Sequence, residues 1–248
     1  GILIHLQQLK QKKQCAFAVL IDPDGVQPSS MVSIADQCNK AGVDFVFFGG
    51  SLMLSDHVDA CILSFKANST IPVVLFPGHP SQVSKEADGL LFLSLLSSRN
   101  AELLIGQHVI AAPIIKSYPI EVLATGYLVI DGGKPTTVSY MSHSAPIPHN
   151  KPDIALCTAW AGEMQGKKLI YMDAGSGAQQ PISEAMIKKV ASNIEVPLII
   201  GGGIRTAEKA LEVCNAGAQV IVVGNAIERD PQLIFSIAET IQTFNKQK

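Results

Sequence analysis

The sequence predicts an α/β protein, a single (β/α)8 TIM barrel spanning residues 1–248. Three observations carry this. The chain has 248 residues, the usual size of one such barrel. Eight short apolar runs recur from one end to the other, each followed by a helical pattern or a connector. The runs are continuous in apolar residues and do not alternate, as expected of strands buried on both faces of a parallel sheet. The competing open, doubly wound sheet needs a Gly-rich turn after its first strand, and "LIDPDGVQP" lacks the G-x-G-x-x-G spacing. No shift in composition marks a domain boundary.

The strands follow in order. "AFAVLID" (16–22) ends on Asp22, with Asp24 in a D-P-D-G turn former just beyond. A helical pattern over 30–41 leads to "DFVFFGG" (44–50), and then comes "PVVLFPG" (72–78). The next connector, "PGHPSQVSKEADG", is short for a barrel helix. An incomplete outer layer after strand three is therefore expected, with a groove between neighbouring elements. "GLLFLSLL" (89–96) and "GYLVIDGG" (126–133) are strands four and five. Residues 136–152, "TTVSYMSHSAPIPHNKP", carry Pro146, Pro148 and Pro152 without a helical period. A loop that long inside a compact domain is usually functional or mobile, so it reads as a candidate lid. In "LCTAWAGEM", Trp160 has helical spacing and apolar neighbours, which predicts a core position. "LIYMDAG" (169–175) precedes a helix over 183–194. "PLIIGGG" (197–203) precedes one over 207–216 with Thr206 as N-cap. "VIVVGNA" (220–226) precedes one over 232–244, with Pro231 in the first-turn position.

Composition narrows the function. Hydrophobic residues make up 47% and charged residues 16%, and 19 basic side chains face 21 acidic ones. That balance argues against a general attraction to nucleic acid or anionic membrane and leaves local sites open. No apolar run reaches the ~18 residues of a membrane span, and no charged-then-apolar leader opens the chain. Position 1 is Gly, as in a trimmed or tagged chain. Five dispersed cysteines (Cys15, Cys38, Cys61, Cys157, Cys214) without a C-x-x-C pair read as reduced thiols of a cytoplasmic protein. His79, His143 and His149 lack metal-ligand spacing. No lysine stands at a C-terminal strand end, which disfavours Schiff-base chemistry.

Chemistry in this fold sits at the C-terminal ends of the strands. "IIGGGIRTAEKA" places Gly201, Gly202 and Gly203 at one strand end, and "VVGNAIERDP" places Gly224 and Asn225 at the next. Glycine lets the backbone approach a ligand and leaves its N–H groups free, as phosphate sites require. Arg205 reads equally as a phosphate contact or as a solvated first-turn residue. "LIYMDAGSGA" adds a third small-residue loop, in which Ser176 and backbone N–H groups complete a cage and Asp173 offers an acceptor to a ligand hydroxyl. Across the mouth, Asp22 and Ser51 are hard oxygen ligands, few in number, of the kind Mg2+ accepts when substrate phosphates and water supply the rest.

Taken together, "LIDPD", "FFGGS", "FPGHPSQVS", "LFLSLLSSRN", "TGYLVIDGG", "PIPHNKPDIA", "LIYMDAGSGA", "GGGIR" and "VVGNA" resemble the geranylgeranylglyceryl phosphate synthase family, prenyltransferases of ether-lipid synthesis. The likeness covers nearly all residues between about 16 and 228, and its length matches the larger, geranylgeranyl-using group. It implies sn-glycerol 1-phosphate and geranylgeranyl diphosphate as substrates, Mg2+ on Asp22 and Ser51, and a homo-oligomer, dimer or hexamer. Peripheral contact with a membrane for the prenyl substrate is compatible with it. The glycerol 1-phosphate contacts implied are Tyr171, Met172, Asp173, Ala174, Gly175, Ser176, Gly177, Gly202, Gly203, Gly224 and Asn225. The family often has Glu where this chain has the catalytic Asp173, and many members have lysine where it has Gly25.

Two other readings stand beside this one. A sugar-phosphate isomerase barrel of the histidine-pathway type would use Asp22 and Asp131 without a metal, but the loops after strands three and four lack the second glycine cradle such barrels carry. A non-catalytic isoprenoid- or phosphate-binding barrel would bind without turnover. Several carboxylates around an anion site weaken plain anion binding and favour an enzyme.

Overall fold

A computed structural model describes residues 1–52, 54 and 57–248. Its first element is one the strand pattern leaves out. In α1 (Ile2–Lys12), Ile2, Leu6 and Leu9 recur at i, i+4 and i+7 and are buried. They pack against barrel-interior side chains such as Phe45, Val74 and Leu123, so α1 closes the bottom of the barrel. The Glu121 carboxylate accepts from the N–H groups of Ile2 and Leu3 at 2.6 and 2.9 Å, a negative charge at the positive end of the helix.

The strands are β1 (Ala16–Ile21), β2 (Phe45–Phe48), β3 (Val73–Leu75), β4 (Gly89–Leu95), β5 (Glu121–Val129), β6 (Leu169–Asp173), β7 (Leu198–Gly201) and β8 (Val220–Val223). They pair in sequence order, all parallel, and β8 returns to β1 with Val19 beside Val223. Successive side chains alternate between two cores, which is why the strands read as unbroken apolar runs. One set, including Ala18, Phe47, Tyr171 and Val222, fills the barrel. The other, including Val19, Val46, Met172 and Ile221, meets the helices.

The outer helices are α2 (Met31–Ala41), α3 (Val58–Lys66), α4 (Gln107–Ser117), α5 (Thr137–Met141), α6 (Pro152–Met164), α7 (Glu184–Ala191), α8 (Ala207–Asn215), α9 (Asn225–Arg229) and α10 (Leu233–Asn245). Between β3 and β4 stands only a 3-10 turn, Pro80–Gln82, so the outer layer is open there. A π-helical turn, Glu102–Gly106, leads into α4 on the far side of the gap.

Several boundaries differ from the sequence reading. β5 begins at Glu121 and ends at Val129, so residues 131–133 are loop. Residues 136–152 are not irregular throughout: Thr136 and Ser139 form a reciprocal capping box on α5. Ile147 then pairs with Ile130, its N–H donating to Val129 O and its carbonyl accepting from Asp131 N, both at 2.8 Å. The segment is a strap held to the end of β5. Trp160 is not core: the residue is 37% exposed and its indole N–H reaches Asn193 O at 2.8 Å. Pro231 lies ahead of α10, whose N-cap is Gln232.

Candidate active site

Asp173 closes β6 with the same alternation that turns Leu169 and Tyr171 into the barrel, and it is only 7% exposed. Both of its oxygens are engaged: Tyr127 donates its hydroxyl to Oδ2 at 2.6 Å and Gly175 its N–H to Oδ1 at 2.7 Å. Burial pushes the carboxyl above the ordinary carboxylate range, and these two hydrogen bonds pull against that rise. The Tyr127 hydroxyl is held well above its usual range by burial and then by the charge of Asp173, so it stays a proton donor. Beneath them Phe76 stacks on Tyr171 at 5.1 Å, and Tyr127 meets both rings edge-on at 5.6 and 5.4 Å. This aromatic floor fixes where Asp173 can point.

Three glycine loops surround the acid. Gly175, Gly177, Gly202 and Gly203 all have φ between 73 and 89°, a region open to glycine. A methyl group at Gly202 would lie 2.7 Å from Gly175 N and 2.8 Å from both Ala174 N and Asp173 Oδ1, so the loops after β6 and β7 touch through bare backbone. Ser176 donates its hydroxyl to Asn225 Oδ1 at 2.8 Å, which ties in the loop after β8 next to Gly224. The three loops thus meet through bare backbone. The N–H groups of Ala174 and Gly175 are spent on Gly201 O and Asp173 Oδ1, so an anion here would draw on the other glycine-loop N–H groups. One residue assigned from sequence is placed differently, and one left open is now placed. The Met172 side chain belongs to the helix-facing core, which leaves only its backbone on the site side. Arg205 donates to Ala178 O, bracing the loop from behind.

Asp22 stands just past β1 across the mouth. Its Oδ1 accepts from Asp24 N at 3.0 Å, while burial, and to a smaller degree the charge of Asp24, holds its pKa above the usual value. A methyl group at Gly50 would sit 3.4 Å from Asp22 Oδ2, so glycine there lets the Gly50–Ser51 backbone lie against the carboxylate. Asp24 instead receives Leu54 N on both oxygens, at 3.0 and 2.8 Å, a long-range tie between the loops after β1 and β2 and not a local turn contact. Glu228 of α9 was not singled out in the sequence. Its side chain is exposed, yet partial desolvation and then the neighbouring Asp22 charge raise its pKa. Among the described residues no three His, Cys, Asp or Glu side chains cluster tightly enough to hold a metal unaided. A cation here needs ligands from substrate or water, which suits Mg2+ and not a closed protein cage. Asp131 spends its Oδ1 on Gly133 N at 2.9 Å in its own loop.

A cavity of about 730 Å3 occupies the gap in the helix layer. It runs from Gly50 and Ser51 past Phe76 and Tyr127 to Phe92, His108, Ala111 and Ile115. The walls are mainly apolar. At the inner end, burial lowers the His108 pKa, and Ser94 Oγ lies 3.2 Å from its Nε2 and accepts Lys167 Nζ at 2.5 Å. The short connector after strand three signalled the gap. Nothing local signalled this polar trio, because Ser94, His108 and Lys167 meet only through packing.

Fold and site define the class: a TIM-barrel enzyme in which a glycine cradle around a buried acid adjoins a long apolar groove. The chain belongs to the PcrB family, whose sequence profile matches residues 7–244. It is 57% identical over 232 residues to the geranylgeranylglyceryl phosphate synthase of Chitinophaga pinensis, covering 94% of this chain and 92% of that one. To the synthase of the same description from Thermococcus gammatolerans it is 42% identical, over 89% and 87% of the two chains. In three dimensions it superposes with a TM-score of 0.92 and 33% identity on (S)-3-O-geranylgeranylglyceryl phosphate synthase from Thermoplasma acidophilum, solved with sn-glycerol-1-phosphate. That match covers 98% of this chain and 99% of the other.

Proposed function

We propose that this protein joins a prenyl group to glycerol phosphate, forming the ether bond between geranylgeranyl diphosphate and sn-glycerol 1-phosphate. One observation carries the reading. Tyr127 lines the apolar groove and donates its hydroxyl to Asp173, which itself stands inside the glycine cradle. A long apolar donor in the groove and a phosphorylated alcohol in the cradle therefore meet at one carboxylate. A plain isomerase has no use for such a groove, and a binding protein has none for a buried, ionisable acid at the junction.

In this reading the backbone N–H groups of residues 176 and 177 hold the phosphate together with those of Gly202, Gly203, Gly224 and Asn225. The Ser176 hydroxyl turns from Asn225 to the ligand, while Ala174 and Gly175 shape the loop. Asp173 then accepts the proton of the terminal hydroxyl as that oxygen bonds to the allylic carbon. The carbon–oxygen bond to the diphosphate breaks, and the diphosphate leaves with the electron pair. Asp22 and Ser51 are the residues that would hold Mg2+, which when bound supplies positive charge against that leaving group. The aromatic floor of Phe76, Tyr127 and Tyr171 lies beside the reacting carbon and excludes water from it.

Exposed Ile105, Val109 and Ile110 beside the groove support self-association or contact with a lipid surface, and ultracentrifugation and vesicle flotation tell the two apart. No helix among the described residues is long and apolar enough to cross a membrane.

The deciding experiment incubates labelled sn-glycerol 1-phosphate with prenyl diphosphates of graded length, with and without EDTA. An organic-extractable labelled product that EDTA abolishes supports the reaction and ranks the donors. No product from folded protein with any donor sinks it. Asp22→Asn is expected to abolish turnover with an unchanged melting profile, and retained activity would remove the metal assignment.

A further inference from the structure

The glycine cradle offers backbone N–H dipoles but no charge of its own, and the side chain it surrounds, Asp173, is an acid. A phosphate monoester brings close to two negative charges at neutral pH. The neighbouring cation from β7, Arg205, is turned away onto Ala178 O. One cation does face the cradle, and it comes from the loop after β5.

Residues 131–136 are seated on the β6 loop. Gly132 O accepts from Gln179 N and Gln180 N at 2.9 and 3.0 Å. A methyl group at Gly132 would lie 2.6 Å from Ala178 Cβ, and one at Gly175 would lie 2.8 Å from Thr136 Oγ1. The two loops thus interlock at both ends of the segment, with Lys134 between them. Its Nζ lies 4.0 Å from the point a Gly177 Cβ would occupy, and no other heavy atom outside residues 176–178 comes within 4 Å of that point among the described residues. Lys134 is exposed, and among the described residues its ammonium has no ion pair or hydrogen bond.

We propose that Lys134 is a further substrate-binding residue, its ammonium closing over the phosphate of the glycerol substrate at residues 175–177. This rests on the reading of the cradle as a glycerol phosphate site. An ammonium on a flexible stem serves as a point charge for phosphate. The interlocked loop keeps the stem's origin fixed, so the charge is delivered without ordering a new segment. Being solvent-accessible, the contact is screened by salt.

The test starts with calorimetric binding of sn-glycerol 1-phosphate to the wild-type chain without prenyl donor, followed by Lys134→Ala and Lys134→Arg. Lys134→Ala is expected to weaken binding and raise KM for the glycerol phosphate about tenfold, the usual effect of losing one charge-assisted contact. The KM for the prenyl donor and the melting temperature stay at wild-type values. Lys134→Arg recovers most of the loss, and the deficit of the alanine variant shrinks as salt is raised. A merely structural lysine predicts neither the salt dependence nor a KM effect confined to one substrate. If the wild type binds and Lys134→Ala binds equally well, the role of Lys134 is refuted while the cradle reading stands. A rise in KM for the prenyl donor alone refutes it too. If the wild type does not bind glycerol phosphate at all, the cradle reading falls and Lys134 with it.

Discussion

Asp173 is buried where a charge is costly, and the proposed role as proton acceptor requires that charge. Its folded pKa lies above its unfolded value, so its contribution to stability is fully present below the unfolded pKa of about 3.9 and is lost as pH rises through the folded pKa. At neutral pH the carboxylate is therefore a net strain on the fold. Asp173→Asn is expected to be inactive yet to melt at or above the wild-type temperature at pH 7, with the gap closing as pH falls toward 4. A lower melting temperature at pH 7 contradicts this. Tyr127→Phe removes one of the two hydrogen bonds that favour the charged form. The acid limb of kcat/KM is expected to move to higher pH in that variant, and an unmoved limb would show that Tyr127 does not tune the base. The acid itself was legible, since a lone carboxylate ending an apolar strand has few structural uses. Its partner was not. Tyr127 faces Tyr171 across the β5–β6 register, which depends on barrel closure. Glu228 escaped for the same reason, because it reaches Asp22 only across the β8–β1 seam.

Elements announced by backbone chemistry were legible, and those announced by packing were not. The loops after β6, β7 and β8 declare themselves through glycines that no other residue replaces freely. Gly202→Ala forces a side chain into φ 85° and against two backbone nitrogens at 2.7 and 2.8 Å. The expected result is a loss in kcat/KM for glycerol phosphate on the order of 100-fold, the scale of an ångström-sized misplacement. Steady-state kinetics with the donor saturating checks it, and near-wild-type values would mean the cradle tolerates displacement. α4 hid behind Pro113 inside the helix and an outward apolar face, and neither pattern marks an ordinary amphipathic helix. The short helix within 136–152 was missed because the prolines beyond it outweighed the Thr136–Ser139 capping box.

At the scale of the whole molecule, the barrel separates chemistry at the C-terminal strand ends from closure at the opposite end. Eight buried runs were enough to foresee the closed sheet, whereas nothing local says which end an amphipathic helix such as α1 covers. The closing contacts at the bottom join distant parts of the chain. Asn245 in α10 accepts Cys15 N through Oδ1 at 2.8 Å and donates through Nδ2 to Cys15 O at 2.7 Å, pinning the C-terminal helix to the start of β1. Glu121 does the same for α1 from the start of β5. None of these groups touches the cradle, the groove or Asp22. Asn245→Ala removes two part-buried hydrogen bonds at about 1 kcal/mol each, and a chain of this size loses roughly 2–4 °C in melting temperature per kcal/mol. Thermal unfolding is therefore expected about 4–8 °C below wild type, with kcat/KM at 25 °C unchanged because the strand ends that carry the site keep their register. A parallel fall in kcat/KM at that temperature would mean that the lower end of the barrel sets the geometry of the upper one, and the separation of stability from catalysis in this chain would have to be abandoned.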